Sequence, residues 1–262
     1  TNFHKLCQQA ATQMGRNVTK EVDQKKLFEE IYPQVLMEFA ETTGRVYDAI
    51  VVDEGQDFHE NYWIALESLL KTDGYLYIFY DDNQNIFHGK TDFGGLIQEE
   101  PFSLNQNCRN TKHIHNTVMK FHNDPSGIVS YAPEGHDPEW IGYTDQASMH
   151  KILQKTLHRL VNEEDVNAKD IVILTPKGKN RTSLTPGLKL GNFILSERAT
   201  SQPNQIMTTT IHRFKGLERK VVILAEFDSS VRFDLEMLMY IGCSRARTHL
   251  IVLHDTALLL GA

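Results

Sequence analysis

An α/β fold with a mostly parallel sheet is what the sequence predicts, on three observations. Short continuous apolar runs at residues 46–52, 75–80, 171–174, 221–224 and 250–253 are each bounded by polar or turn residues, as parallel strands covered on both faces require. Helical patterns alternate with these runs at 61–70, 112–121, 148–161 and 234–247. The length, 262 residues of which 40% are hydrophobic and 23% charged, suffices for one large domain or two small ones with real cores and excludes global disorder.

Two helices precede the first strand. Phe3, Leu6, Cys7, Ala10, Ala11 and Met14 recur at helical spacing before Gly15 stops the pattern. A second pattern covers 23–43, with Leu27, Ile31, Val35, Leu36 and Phe39 on one face, a kink expected at Pro33 and Gly44 as C-cap. A Gly-Gly pair and an acidic tract near 98–101 suggest a boundary, giving one lobe over 1–98, with a small helical insertion around 17–44, and a second over 99–262. Residues 176–203, rich in Gly, Lys, Asn, Ser and Pro, are expected as a loop with one short strand around 193–195. There is no internal repeat and no low-complexity tract.

Charge and cysteine usage narrow the function classes. Twenty-seven Lys and Arg against thirty-four Asp and Glu give a net charge of -7, which argues against gripping nucleic acid by bulk positive potential and leaves local grooves. No run approaches the roughly 18 apolar residues of a membrane helix, and no secretion signal is recognisable, so a soluble chain with no membrane partner is expected. Cys7, Cys108 and Cys243 lie far apart and form no CxxC pair, which fits a reducing, cytoplasmic setting. Cys108, His113 and His115 match no familiar zinc spacing, and Cys243 reads as a buried small apolar group.

The clearest chemical signal is the strand 46–52 running into Asp53-Glu-Gly-Gln-Asp57. In open α/β sheets ligands sit beyond the carboxyl ends of strands, so carboxylates arrive where a Mg²⁺ ion is held and a water deprotonated. A solvated acidic loop is the plain alternative. A second polar cluster, Asp81-Asp-Asn-Gln-Asn-Ile-Phe87, follows the next strand. There Gln84 is placed to meet a phosphate oxygen or position a water, and Phe87 reads equally as a base-stacking ring or a core side chain.

Six segments in order make the chain resemble the UvrD/Rep-like family of superfamily 1 DNA helicases. They are Phe3-His-Lys-Leu-Cys7, Asp53-Glu-Gly-Gln-Asp57 (motif II, Walker B), Asp81-Asp-Asn-Gln-Asn-Ile-Phe87 (motif III), Leu104-Asn-Gln-Asn-Cys-Arg-Asn110 (motif IV), Thr208-Thr-Thr-Ile-His-Arg-Phe-Lys-Gly-Leu-Glu218 (motif V) and Tyr240-Ile-Gly-Cys-Ser-Arg-Ala-Arg247 (motif VI). The resemblance implies RecA-like P-loop NTPase motor lobes with mostly parallel sheets, the first incomplete, using ATP and Mg²⁺. It implies that Asp53 coordinates Mg²⁺, Glu54 is the general base and Gln84 senses the γ-phosphate, with Asp57 also at the nucleotide. Arg109 and Arg245 become arginine fingers, Glu218 contacts the ribose, and Lys215 and Gly216 shape that turn; Phe3, His4, Phe87, Lys90, Thr210 and His212 line the single-strand track. Taken alone, Arg109 and Arg245 read equally well as surface or salt-bridge arginines.

Three departures qualify the resemblance. The only Gly-Lys-Thr, Gly89-Lys90-Thr91, follows motif III and has Gln84 where G-x-x-x-x-G-K-[ST] needs its first glycine, so it is no phosphate-cradling loop. With Thr at residue 1 in a helical pattern, the expectation is a piece lacking the N-terminal part of the first lobe. Cys108 stands where the family usually has an adenine-stacking Tyr, and Lys90 where it usually has Arg. The expected function is the motor core of an ATP-dependent DNA helicase or translocase moving on single-stranded or partly duplex DNA, with the piece itself a poor ATPase. The alternative is a non-catalytic nucleic-acid or protein interaction module that keeps the fold. A metal-dependent nuclease using Asp53, Glu54, Asp81 and Asp82 ranks lowest, because it has no use for Gln84, Arg109, Arg245 and Glu218.

Overall fold

A computed structural model describes residues 1–18, 23–81, 93, 97, 101–199, 202–231 and 234–258. The chain divides into two compact units, Thr1–Phe102 and Ser103–Ala262. Among the described residues no helix is long and apolar enough to cross a membrane.

The first unit opens with α1 (Phe3–Gln13), capped by the Asn2 side chain, which accepts a hydrogen bond from the Lys5 amide at 2.8 Å. Then come α2 (Gln24–Lys26), a π turn over Leu27–Ile31 and α3 (Tyr32–Thr43), which ends on Gly44 at φ 76°. The kink expected at Pro33 is a π turn placed just before it. Pro33 has no N–H for the Glu29 carbonyl one turn back, and Asn61 Nδ2 donates to that carbonyl at 2.9 Å instead. β1 (Tyr47–Val52), α4 (Glu60–Leu69) and β2 (Leu70–Ile78) complete the unit, the two strands pairing in parallel.

Helices α1, α3 and α4 cover one face of this small sheet with Cys7, Val35, Leu36, Trp63, Ala65 and Leu69, all essentially without exposure. The other face is open: Val51 and Tyr75 are each 65% exposed and Tyr77 is 53% exposed. Cover on both faces, expected for all the parallel strands, is therefore not found for β1 and β2. Their outward residues are as apolar as their inward ones, so pattern alone could not tell a covered face from an open one.

The second unit begins with β3 (Gln106–Asn107), α5 (Lys112–Met119) and β4 (Val129–Ser130), β3 and β4 forming a short parallel ribbon. β5 (Glu139–Tyr143), α6 (Gln146–His158) and β6 (Ile171–Thr175) follow. Next are β7 (Lys189–Leu190), β8 (Phe193–Ser196), β9 (Gln205–Thr210), β10 (Arg219–Phe227), α7 (Leu235–Cys243) and β11 (Ala246–Asp255). Seven strands form one sheet in the order β5-β11-β10-β6-β9-β8-β7, parallel except for β7 against β8. β6 and the middle of β10 and β11 are buried on both faces, as predicted. Each fully buried Leu, Ile or Val there contributes about 1.5–3 kcal/mol. The α/β class with a mostly parallel sheet is thus observed, in agreement with the lobes expected from the motifs.

Two differences matter for the site. The helix expected over 234–247 stops at Cys243, and β11 starts at Ala246, so Arg245 and Arg247 lie on the turn and the strand. β9 was not expected, because Gln-Ile-Met-Thr-Thr-Thr is half polar; its inward residues are Ile206 and Thr208.

Gly55 has a steric reason. A Cβ there would meet Ile78 Cγ2 at 2.5 Å, whereas one on Gly178 would meet nothing within 4 Å. Gly55→Ala is expected to destabilise the first unit by about 1–3 kcal/mol and Gly178→Ala to stay within about 0.5 kcal/mol, read by urea unfolding.

Candidate functional site

In the first unit β1 delivers its carboxylates through a strained turn. Asp53 is exposed, Glu54 is half-buried with φ 57° and ψ 44°, and Gly55 begins a 3-10 turn to Asp57. A left-handed backbone at a glutamate costs roughly 1–3 kcal/mol and is held only by its surroundings. Those surroundings are specific. Asp53 Oδ1 accepts from the Glu54 amide at 3.0 Å, Gly55 N donates to the Phe79 carbonyl at 2.9 Å, and Gln56, buried, donates through Nε2 to Glu54 Oε2 at 2.6 Å. Gln56 Oε1 accepts from the Asp81 amide at 3.0 Å. One carboxamide therefore joins the ends of β1 and β2 and aims Glu54, a role the sequence reading missed although Gln56 lies inside the motif.

Other expected residues of this unit are placed differently. Phe3 is buried and stacks on Tyr62 at 4.0 Å between ring centroids, so its ring faces the helical core. His4 stacks on Phe28 at 4.5 Å with Nε2 3.2 Å from the Tyr62 hydroxyl, and burial holds its pKa below the ordinary value. Gln84, Phe87 and Lys90, like Asp82, lie outside the described residues.

In the second unit three distant segments meet where β10 and β11 begin. Arg109 Nε donates to Glu218 Oε2 at 3.0 Å, and Arg247 Nε lies 3.4 Å from Glu218 Oε1. Arg247 shares the carboxylate in this way, a part sequence reasoning gave to neither residue. Arg245 is 1% exposed and donates through Nε to the Ile241 carbonyl at 3.1 Å and through Nη2 to Ser244 Oγ at 3.0 Å. The expected finger is thus a buried side chain, and the exposed arginines of the cluster are Arg109 and Arg247.

Asn110 fixes the cluster. Buried, it donates through Nδ2 to the carbonyls of Ser244 at 3.1 Å and Ala246 at 2.6 Å, while Thr111 N donates to the Arg247 carbonyl and Arg219 N to the Arg245 carbonyl, both at 3.0 Å. Asn107 orients it in turn: its Oδ1 accepts from the Arg109 and Asn110 amides, and its Nδ2 donates to Asn110 Oδ1 at 2.8 Å. Asn107 Nδ2 also faces His115 Nδ1 at 3.1 Å. Burial lowers the His115 pKa, partly offset by a hydrogen bond to the Ile128 backbone. A neutral ring accepting at Nδ1 fits, which takes His115 out of any zinc set; His113 instead pairs with Asp137 and with Glu134. Cys108 is exposed, while burial pushes the Cys243 thiol up.

The turn after β9 is local. Thr210 Oγ1 accepts from Arg213 N at 3.2 Å, His212 starts a 3-10 turn, Lys215 N donates to the His212 carbonyl, and Gly216 takes φ 77°. Gly216 is thus required by the left-handed backbone that returns the chain to Glu218.

Asp53 offers hard oxygen donors of the kind that suit Mg²⁺. Among the described residues no three His, Cys, Asp or Glu side chains group closely enough to hold a metal ion by themselves, and Asp53, Glu54 and Asp81 form no such group. The triphosphate fits less well: the chain has no Gly-rich cradle ending in Gly-Lys-Ser/Thr that follows the G-x-x-x-x-G-K-[ST] pattern.

Asn110→Ala leaves two buried carbonyls without a donor, and a loss of about 1–3 kcal/mol is expected in denaturant unfolding. The pH response follows from His115. Its folded pKa lies below the unfolded value of about 6.5, so the contribution is complete above about 6.5 and is lost as pH falls below that. The unfolding free energy is expected to drop between about pH 7 and 5, and less steeply in His115→Gln; an unchanged slope in that variant overturns the assignment.

Residues 205–253 match the family model of the UvrD-like helicase C-terminal domain, a stretch that holds Thr210, His212, Lys215, Gly216, Glu218 and Arg245. No curated protein matches the chain. Among solved structures, the C-terminal domain of a possible DNA helicase from Lactobacillus plantarum WCFS1 is 18% identical at TM-score 0.44, covering 57% of this chain and 88% of its own. The PRRSV helicase is 11% identical at TM-score 0.47 over 87% of this chain, and the arterivirus nonstructural protein 10 helicase 16% identical at 0.41 over 81%. The chain spans 46% and 40% of the length of these two viral proteins. The resemblance to UvrD-like helicases is therefore borne out over residues 205–253, and there the chain carries the pattern of their C-terminal domain.

Proposed function

We propose that the chain is motor-core sequence of an ATP-dependent helicase or translocase acting on single-stranded DNA. The observation that carries the reading is the meeting of Arg109 with Glu218 at 3.0 Å, pinned by Asn110 to the Ser244–Ala246 turn. Segments more than a hundred residues apart converge on one ionic cluster, and two of its members are exposed arginines, the side chains that best meet phosphoryl charge. A purely structural ion pair needs no such convergence.

In this reading Asp53 would hold Mg²⁺, which when bound supplies charge neutralisation at the phosphates. Glu54, aimed by Gln56, takes a proton from water. Glu218 releases Arg109 or Arg247 when a nucleotide is present, and Lys215 and Gly216 keep the preceding turn in shape. Asp57 and Gln84 keep the nucleotide-linked roles that the motifs imply, while Arg245, buried, supports the turn that leads to Arg247. His4, Phe87, Lys90, Thr210 and His212 belong to the strand-contacting set, and Phe3 supports it from the core. The open face of β1 and β2 supports the reading that the first lobe is incomplete in this chain.

The test is ATP hydrolysis by a full-length protein that contains this sequence, with and without single-stranded DNA. Stimulated turnover is expected, abolished by Glu54→Gln and reduced about 10³-fold by Arg109→Ala. The 262 residues alone should hydrolyse ATP poorly. Undiminished turnover in Glu54→Gln overturns the base assignment, and strand binding without hydrolysis by the full-length protein favours a non-catalytic module.

A further inference from the structure

One buried carboxylate in the second unit has no part in the arrangement above. Glu226, near the end of β10, is 3% exposed and sits at φ 64°, where the pairing with β11 shifts register between Leu224 and Phe227. Its two oxygens accept four hydrogen bonds, all from one segment. Oε2 takes Thr175 Oγ1 at 2.5 Å and Thr182 Oγ1 at 2.6 Å; Oε1 takes Ser183 N at 2.7 Å and Ser183 Oγ at 2.8 Å.

The donors are themselves fixed. Thr175 Oγ1 accepts from Lys177 N and Thr182 Oγ1 from Leu184 N, both at 3.0 Å, and His150 Nε2 lies 3.0 Å from Ser183 Oγ. Glu226 thus holds both ends of the loop 175–183 and no cation touches it in these bonds. A left-handed backbone at a non-glycine residue, in a β-bulge, is a cost that packing of the loop must offset.

That loop is basic. Lys177 is used internally, its Nζ 2.5 Å from Asp228 Oδ2, but Lys179 and Arg181 are exposed. Further cations converge there. Arg213 bonds to Glu197, and Arg213, Lys179 and Arg198 together hold the exposed Glu197 carboxyl below its usual range. Arg213 N in turn donates to Thr210 Oγ1, and Thr175 is the register partner of Thr210 across β6 and β9. Three cations around one carboxylate, Lys179, Arg198 and Arg213, stand at the carboxyl ends of three neighbouring strands, with Arg181 exposed on the same loop as Lys179, in a chain of net charge -7.

We propose that Glu226 is a positioning residue whose buried carboxylate holds the loop so that Lys179 and Arg181, with Arg198 and Arg213, form a phosphate-contact surface beside Thr210 for single-stranded nucleic acid. The inference rests on the reading that a strand passes the end of β9, and adds to Arg213 of motif V the contacts of Lys179, Arg181 and Arg198, which lie outside the quoted motifs. The hydroxyls of Thr175, Thr182 and Ser183 all donate to the carboxylate, so the ends of the loop that carries Lys179 and Arg181 are held before a phosphate arrives.

The experiment uses the 262-residue chain and a fluorescent oligothymidylate at several salt concentrations, with hydrogen exchange of the loop amides measured without ligand. Lys179→Ala with Arg181→Ala is expected to weaken binding at least tenfold and to lower the slope of log K against log salt by about 1.4, two phosphate contacts at about 0.7 each. Glu226→Gly, which suits the left-handed backbone, should keep the cooperative unfolding transition, speed exchange of the Ser183 amide at least tenfold and reproduce the loss of affinity and slope. Combining the three changes should add nothing further, since they act through one surface. Glu226→Gln, which keeps one acceptor oxygen, should fall between and serves if Glu226→Gly does not fold. Binding by the unaltered chain with unchanged affinity in the lysine and arginine variant removes the phosphate role. A loss there but not in Glu226→Gly, or unchanged Ser183 exchange, removes the positioning role. No binding by the unaltered chain overturns the proposed function itself, and the phosphate role with it.

Discussion

The second unit depends on what happens to the carbonyls at the end of α7. A helix leaves its last carbonyls without intrahelical donors, and here Ser244, the C-cap of α7, and Ala246, the first residue of β11, point theirs into the protein, where an unmet carbonyl costs about 1–3 kcal/mol. Asn110 Nδ2 answers both, from a segment 134 and 136 residues away. Because the helix is stopped there, the chain turns at once into β11, and β11 lies beside β10 with its centre buried on both faces. The same stop sets Arg247 outward toward Glu218 and Arg245 inward toward the Ile241 carbonyl. One side-chain amide therefore ties the end of a helix to the start of a central strand, between two arginines that turn opposite ways.

The two sheets show what a parallel pair needs. In β6, β10 and β11 the outward and inward residues are both buried, and the apolar runs of the sequence translate directly into core. β1 and β2 have equally apolar sequences, yet Val51, Tyr75 and Tyr77 face outward uncovered. They hydrogen-bond to each other along one edge of each strand, while their hydrophobic gain is half realised. The first unit compensates on the helical side, where Trp63 and its neighbours form a dense aromatic cluster with Phe58, Phe3 and Tyr62. Phe3 is better used in that cluster than at a surface, since a stacked, buried ring gains both area burial and aromatic contact.

Much of the fold was legible because apolar runs and helical periods are direct records of burial. The strands at 171–174, 221–224 and 250–253 were found for that reason. β9 escaped because Thr208 is buried with a hydroxyl, and polarity hid a residue whose β-branched shape suits a strand. The end of α7 escaped because no Gly or Pro stands just after Ser244 in sequence; the carbonyls there are met by Ser244 and Arg245 and, from far away, by Asn110. Site residues were legible as types but not as partners. Glu218 and Arg109 were both singled out, yet their 3.0 Å contact and the share taken by Arg247 are products of folding. Gln56, Asn107 and Asn110 were passed over inside the quoted motifs because amides carry no charge, although their donor and acceptor pairs do the orienting.

The left-handed residues tie these points together. Among the described non-glycine residues with positive φ, two are glutamates at the carboxyl ends of parallel strands, Glu54 after β1 and Glu226 in β10. At such a place the strand must turn sharply, and glycine would do so without strain. A glutamate is tolerated only if its carboxylate is held well enough to offset the backbone cost, as Gln56 does for Glu54 and as Thr175, Thr182 and Ser183 do for Glu226. The difference between the two is in their exposure and their donors. Glu226 accepts four hydrogen bonds and is buried, so its carboxylate is committed to organising a loop. Glu54 is half-buried at the mouth of its strand, where the buried Gln56 donates to its Oε2. The same backbone geometry thus accommodates two different settings, a carboxylate buried under four donors at Glu226 and one held by a buried carboxamide at Glu54.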